Sequence, residues 1–446
     1  MKRLIMFVLC VITAFCFFGC VVDGSDGSNT GDSTSTGASS GTGKTDDVYV
    51  FEERVIKTKG QTYSEGDVVY PDKLWDAPAY EYCPDLDFGS VGNVKGIFYE
   101  LPVKYKGKTP KIAAYLGFPD NMKQGERVPA VVLVHGGLGT AVPEWVKYWN
   151  DLGFAAISMD TEGGEPISGV CNANNLHKEE NRYKGDAVYT NGPTNVGFAD
   201  YAEPLGDQWM YQATSAVISA CSLISSFDCV DVQKIGITGV SWGGVITSIT
   251  VGYDDRFSFA IPVYGALSLT ESCSGFRTIY PSEEASDRWD TLNPLKQTNC
   301  KMFYVTGIRD FAFSFDAASR CSQAANGFTL FKKIFNHGQK EAAEEENIPF
   351  FARYFIGEES EFVEITKNPT KEDPTLKFRF YGDVTIESIR LNYTLDKKTD
   401  KDAVWEGKKI KYIDGCTEYV INMPECEHAY VQIKYNNNLE VSSYLF

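Results

Sequence analysis

Residues 234–265, KIGITGVSWGGVITSITVGYDDRFSFAIPVYG, decide the fold. Residues 235–238 are four β-branched or small residues leading into Gly239 at the end of a strand-length segment, 242–252 carry only apolar and small polar residues at helix length, and 257–263 read as a second strand. Ser241 sits at the turn between the first strand and the helix, with Gly239 two residues before it and Gly243 two after. That is the pattern G-x-S-x-G. A hydroxyl on so tight a turn takes a strained backbone, and side chains at the flanking positions would collide with the adjoining elements. In an open parallel sheet such turns gather at the carboxyl ends of the strands, where reactive groups collect.

The neighbouring segments repeat the alternation. VPAVVLVHGG (128–137) is a continuous β-branched run ending in glycines, as expected of a strand covered on both faces, and EWVKYWNDLG (144–153) has apolar residues at helical spacing. FAAISMD (154–160), CKMFYVTG (300–307) and GFTLFKKIF (327–335) read as further strands, and 208–227 as a long helix. This succession predicts an α/β protein with a doubly wound, mostly parallel sheet. Residues 161–206, rich in Gly, Asn, Asp and Tyr, show no sustained period, and so long a loop is usually functional or disordered. From residue 362 apolar and polar residues alternate at period two, which predicts a small C-terminal β-sandwich over 362–446 after an α/β domain over 47–361.

The first twenty residues, MKRLIMFVLCVITAFCFFGC, have two basic residues, an apolar stretch and a terminal Gly19-Cys20, the form of an export leader. Gly19-Cys20 resembles a bacterial lipobox, which predicts lipid attachment at Cys20 and an outer-membrane or cell-surface location; Phe17 stands where leucine is usual, and plain cleavage to a periplasmic or secreted chain is the alternative. Residues 21–46, rich in Gly, Ser, Thr and Asp, read as a flexible tether. A formal net charge of −18 argues against a nucleic-acid partner, which needs a basic face. Of the 12 cysteines, Cys416 and Cys426 are the expected local disulfide. No CxxC pair or His/Cys cluster is present, so neither a metal nor another cofactor is expected.

A serine hydroxyl needs a base, and a histidine base needs an orienting carboxylate. The chain has four histidines. His135 precedes the serine, His177 lies in the long loop, and His428 falls among the terminal strands. His337, in IFNHGQ just past a late strand, fits the order serine, acid, histidine. In FYVTGIRDFAFSFD the acid is Asp310, three residues beyond Gly307, with Asp316 second. An oxyanion requires two donors: the N–H of Trp242, at a helix start, and one from HGGLG, with Gly137 first and Leu138 second. Leu138 and Trp209 are further expected to line the substrate site.

The order VVLVHGG, GVSWGG, GIRDFAF, FNHGQ resembles the α/β-hydrolase superfamily, in the branch of acetylxylan esterases, dienelactone-hydrolase-like proteins and prolyl-oligopeptidase catalytic domains. The likeness spans about residues 94–340. It implies Ser241 as nucleophile, Asp310 as acid and His337 as base. The peptidases of that branch typically carry an N-terminal propeller, and the 48 residues between tether and sheet have no room for one. The expectation is therefore an esterase acting on an acylated carbohydrate, small or polymeric, such as acetylated xylan, with Trp209, Tyr211 and Trp242 offering rings to a sugar. A prolyl-oligopeptidase-type peptidase and a non-catalytic surface binding protein are the alternatives.

Overall fold

A computed structural model describes residues 68–83, 92–163, 192–269, 272–436 and 438–446. The expected leader, Cys20, the tether, His177 and most of the long irregular stretch lie outside the described residues. The strands are β1 Tyr80–Tyr82, β2 Lys95–Glu100, β3 Lys111–Gly117, β4 Val128–Val134, β5 Ala155–Met159, β6 Val230–Val240, β7 Phe259–Val263, β8 Lys301–Gly307 and β9 Phe328–Lys332. They are followed by β10 Phe362–Lys367, β11 Thr375–Tyr381, β12 Ile386–Thr394, β13 Glu406–Ile410, β14 Glu418–Val420, β15 His428–Tyr435 and β16 Leu439–Ser442. One 13-stranded sheet runs β1-β2-β3-β5-β4-β6-β7-β8-β9-β16-β15-β12-β13. From β5 to β9 every pairing is parallel, whereas β1, β2 and β3 add antiparallel to one side.

Period-two alternation divides β4 between two cores. Val132 and Val134 belong to one cluster and Val131 and Leu133 to the other, and every residue of the strand is buried. Helix α1 (Pro143–Asp151), opened by a proline at its first turn, packs Trp145, Val146 and Trp149 into the second cluster. Helices α2 (Trp209–Ser225) and α3 (Trp242–Tyr253) fill the first, and every residue of α3 is buried, its only polar side chains being small hydroxyls and the Tyr253 phenol. Two further helices divide in the same way, α4 (Phe315–Ala324) to the first cluster and α5 (Asn347–Phe355) to the second. Helices on both faces of a mostly parallel sheet make the doubly wound α/β fold expected from the sequence.

The C-terminal strands differ from expectation. β10, β11 and β14 form a separate three-stranded sheet, while β16, β15, β12 and β13 prolong the main sheet, because β16 pairs antiparallel with β9 at Ser442 and Thr329. Thr329 Oγ1 donates to Ser442 O at 2.8 Å and Phe331 N–H to Ser442 Oγ at 3.0 Å. Phe303, Leu330 and Phe351 share one core with Phe362, Phe378, Leu391 and Ile433. Residues 362–446 thus form two sheets that share one core with the α/β region, and one of the two is continuous with the main sheet through β16 and β9. Period two fixes which face of a strand is buried and leaves open which sheet edge it joins. The expected disulfide is also absent: Cys416 and Cys426 are not bridged, and the Cys416 thiol donates to Glu418 O at 3.2 Å.

Candidate active site

Ser241 ends the parallel run of β6. Its N–H still donates to Val263 O of β7 at 2.8 Å, and its carbonyl already accepts from Gly244 and Val245 at the start of α3. Serving strand and helix at once puts Ser241 at φ 59°, ψ −120°, a strained conformation for a residue with a side chain. The turn also brings α3 against the end of β4. A Cβ on Gly243 would stand 2.1 Å from Val134 O, so only glycine lets the two backbones meet there.

His337 follows β9, and its Nε2 is 2.9 Å from Ser241 Oγ while its Nδ1 is 2.6 Å from Asp310 Oδ2. Asp310 lies just past β8. Its Oδ1 accepts from the N–H groups of Ala312 and Phe313, both at 2.9 Å, so the carboxylate is pinned from behind while Oδ2 faces the ring. The Asp310 side chain is fully buried and that of His337 is 20% exposed. With Oδ2 accepting from Nδ1–H, Nε2 presents a lone pair to the serine hydroxyl. The imidazole lies beside the Tyr264 ring, centroids 4.9 Å apart, with Phe311 at 6.0 Å and Phe313 at 6.4 Å. Tyr264 is itself at φ 49°, and burial pushes its hydroxyl pKa well up, so it stays a neutral ring beside the imidazole. Such an arrangement can transfer the hydroxyl proton to the ring as the oxygen attacks an acyl carbon.

The other expected residues are placed as follows. Asp316 is not at the histidine: it opens α4, where Oδ2 accepts from Cys273 N–H at 3.2 Å and meets Arg320 at 3.4 Å. Trp242 begins α3, where a first-turn N–H has no intrahelical acceptor. The Gly137 N–H makes no hydrogen bond with described residues, and a Cβ on Gly137 would stand 2.4 Å from Trp242 Cδ1, so this loop lies against the serine turn. Leu138 is corrected as a donor: its N–H is committed to Glu162 Oε1 at 2.9 Å. Trp209 is corrected as a sugar platform. It is 0% exposed, its Nε1–H donates to Thr161 O at 2.8 Å, and its ring meets Trp242 edge-on at 5.2 Å. Tyr211 stacks on Tyr70 instead, 4.7 Å away.

Two of the remaining histidines have other partners. His135 donates through Nδ1 to Gly136 O at 2.7 Å and accepts through Nε2 from Thr161 N–H at 3.0 Å. His428 meets Lys397 O at 3.2 Å. Glu162 and Asn195 were not anticipated. Their signal was position, since Glu162 follows a strand end directly, but the surrounding stretch has no periodicity to separate it from other loop carboxylates. Among the described residues no group of three or more His, Cys, Asp or Glu side chains is placed to hold a metal ion.

A serine on a strand-to-helix turn at the carboxyl end of a central strand of such a sheet, with a histidine and a buried aspartate in contact, defines a serine hydrolase of the α/β-hydrolase superfamily. The family model described as acetyl xylan esterase (AXE1) matches residues 85–293, a span that includes Ser241 and ends before Asp310 and His337. Among solved structures it is similar to an acetyl xylan esterase from Paenibacillus sp. R4, with 16% identity over 64% of this chain and 90% of that one, TM-score 0.47. It is also similar to acetyl xylan esterase 1 from Thermoanaerobacterium sp. JW/SL YS485, with 13% identity over 64% of this chain and 92% of that one, TM-score 0.44. An acylaminoacyl peptidase from Pyrococcus horikoshii shows 13% identity over 60% of this chain and 42% of that one, TM-score 0.43. No curated protein matches the chain in sequence.

Proposed function

We propose that the chain is an exported, surface-tethered carboxylic-ester hydrolase that deacetylates carbohydrates such as acetylated xylan, with Ser241 as nucleophile, His337 as base and Asp310 as orienting acid. The observation that carries this reading is the pair of contacts of His337, 2.9 Å to Ser241 Oγ and 2.6 Å to Asp310 Oδ2. Ser241 Oγ attacks the acetyl carbon as its proton passes to His337 Nε2, and the N–H groups of Trp242 and Gly137 receive the oxyanion. His337 returns the proton to the departing sugar oxygen as the acyl–oxygen bond breaks. Water, deprotonated by the same nitrogen, then releases acetate and restores the serine. Support for the acetyl ester comes from the AXE1 match, and support for the tether from the leader and Cys20.

The test compares the mature chain with Ser241→Ala on 4-nitrophenyl acetate, acetylated xylo-oligosaccharides and aminoacyl 4-nitroanilides. Serine-dependent release of acetate, with the anilides untouched, is expected. A Ser241→Ala variant that keeps more than about a thousandth of the wild-type rate refutes the nucleophile, and efficient anilide cleavage refutes the ester substrate.

A further inference from the structure

Glu162 lies just past the end of β5, and its side chain meets the loop that follows β4. One oxygen, Oε1, accepts from both Leu138 N–H and Asn195 Nδ2, each at 2.9 Å. The acceptor is itself held: Glu162 N–H donates to Asp160 Oδ1 at 2.9 Å, and Asn195 Oδ1 accepts from Gly197 N–H at 2.9 Å. Leu138 has φ 63°, a left-handed conformation that a leucine keeps only when its surroundings impose it. The two glycines before it press on the serine turn, since a Cβ on Gly136 would stand 3.3 Å from Ser241 Cβ and one on Gly137 2.4 Å from Trp242 Cδ1; the latter would also stand 3.2 Å from Asn195 Nδ2. Glu162 is 6% exposed, and desolvation pushes its carboxyl above the usual range despite the opposing pull of His135 and Asn195. The chain therefore keeps an unfavourably buried carboxyl where it clasps this loop.

We propose that Glu162 is a positioning residue of the oxyanion hole: by taking the Leu138 N–H it fixes the Gly137–Leu138 peptide and so aims the Gly137 N–H at the oxygen that becomes negative. This rests on the reading of Ser241 as nucleophile. Glu162 touches no reacting atom and acts through the loop alone. What matters is an acceptor at the right reach, and the charge is incidental.

Three variants test it: Glu162→Gln keeps reach and acceptor without charge, Glu162→Asp keeps charge and falls short by one methylene, and Glu162→Ala lacks both. On 4-nitrophenyl acetate, Ala and Asp should lose about 10- to 100-fold in kcat with KM within about twofold, the loss expected when an oxyanion donor is misaimed. The inhibition constant of phenylboronic acid, which forms a tetrahedral adduct with the serine, should weaken by a similar factor. Glu162→Gln should keep at least about a third of the wild-type kcat. An Asp variant as active as wild type, or a Gln variant as poor as Asp, overturns the proposal, and this comparison decides even if the Ala variant does not fold. Ser241→Ala is assayed beside them: turnover by that variant refutes the nucleophile, whereas an active Asp variant beside an inactive Ser241→Ala refutes the role of Glu162 alone.

Discussion

Asp310→Asn is the substitution whose effect follows most directly from the geometry. Asp310 Oδ1 receives two backbone N–H groups, from Ala312 and Phe313 at 2.9 Å, and Oδ2 receives His337 Nδ1 at 2.6 Å. An asparagine there has one oxygen and one NH2 to distribute. Placing the NH2 toward the loop would set it against two N–H donors and leave both unpaired, at about 1–3 kcal/mol each. The oxygen therefore stays on the loop and the NH2 turns to the ring. His337 must then offer a lone pair from Nδ1, which leaves its proton on Nε2, 2.9 Å from Ser241 Oγ. The base is occupied at the one atom that has to accept. In other serine triads this wrong tautomer lowers kcat by about 10⁴-fold, and at 1.36 kcal/mol per tenfold a loss of 10³- to 10⁴-fold is about 4–5.5 kcal/mol of barrier. The assay is kcat/KM on 4-nitrophenyl acetate, with a thermal melt to show that the fold persists. Asp316→Asn serves as control and should stay within about threefold of wild type, because Asp316 contacts Cys273 and Arg320 and not the imidazole. Asp310→Asn activity within tenfold of wild type, or an equal loss in Asp316→Asn, would refute the reasoning.

Two further outcomes concern stability. Gly243→Ala puts a methyl 2.1 Å from Val134 O and 2.6 Å from His135 O, both backbone atoms that cannot swing aside, so α3 must retreat from β4. Overpacking of this kind costs about 1–3 kcal/mol, and denaturant unfolding should register it together with loss of activity; an unshifted midpoint would mean that the helix has slack there. Burial raises the carboxyls of Glu162, Asp290 and Glu440, so each holds its proton more tightly folded than unfolded. Their contribution is greatest in acid and is lost as pH rises through the raised values; the net charge of −18 at pH 7 acts in the same direction by self-repulsion. The melting temperature should be higher at about pH 5 than at about pH 7.5, and the opposite order counts against this account.

The parallel sheet and Ser241 were legible because both depend on local rules. A strand buried on both faces is a continuous β-branched run, and the strained turn demands glycine at Gly239 and Gly243. His337 and Asp310 followed from chain order and strand ends, and the choice of Asp310 over Asp316 needed only its nearness to Gly307. What the sequence could not carry was non-local. Whether Trp209 faces a ligand or a core depends on α2 packing against α3, 33 residues away in the chain. Leu138 was a sound donor by position, and only the carboxylate of Glu162 removes it. The period-two strands after residue 362 were recognised as strands, while their union with β9 depends on an edge that the α/β region leaves open.

That union orders events in time. β9 leads directly into the segment bearing His337, and its second neighbour is a strand near the end of the chain, with Ser442 113 residues beyond Thr329. Until those last residues emerge, β9 is an unpaired edge, available to any extended segment that drifts past. Contacts so distant in sequence close late, because the entropy of the intervening chain must be overcome first. Closure of the β9–β16 edge is therefore expected to come late, and His337, which follows β9, sits beside the edge that waits for it.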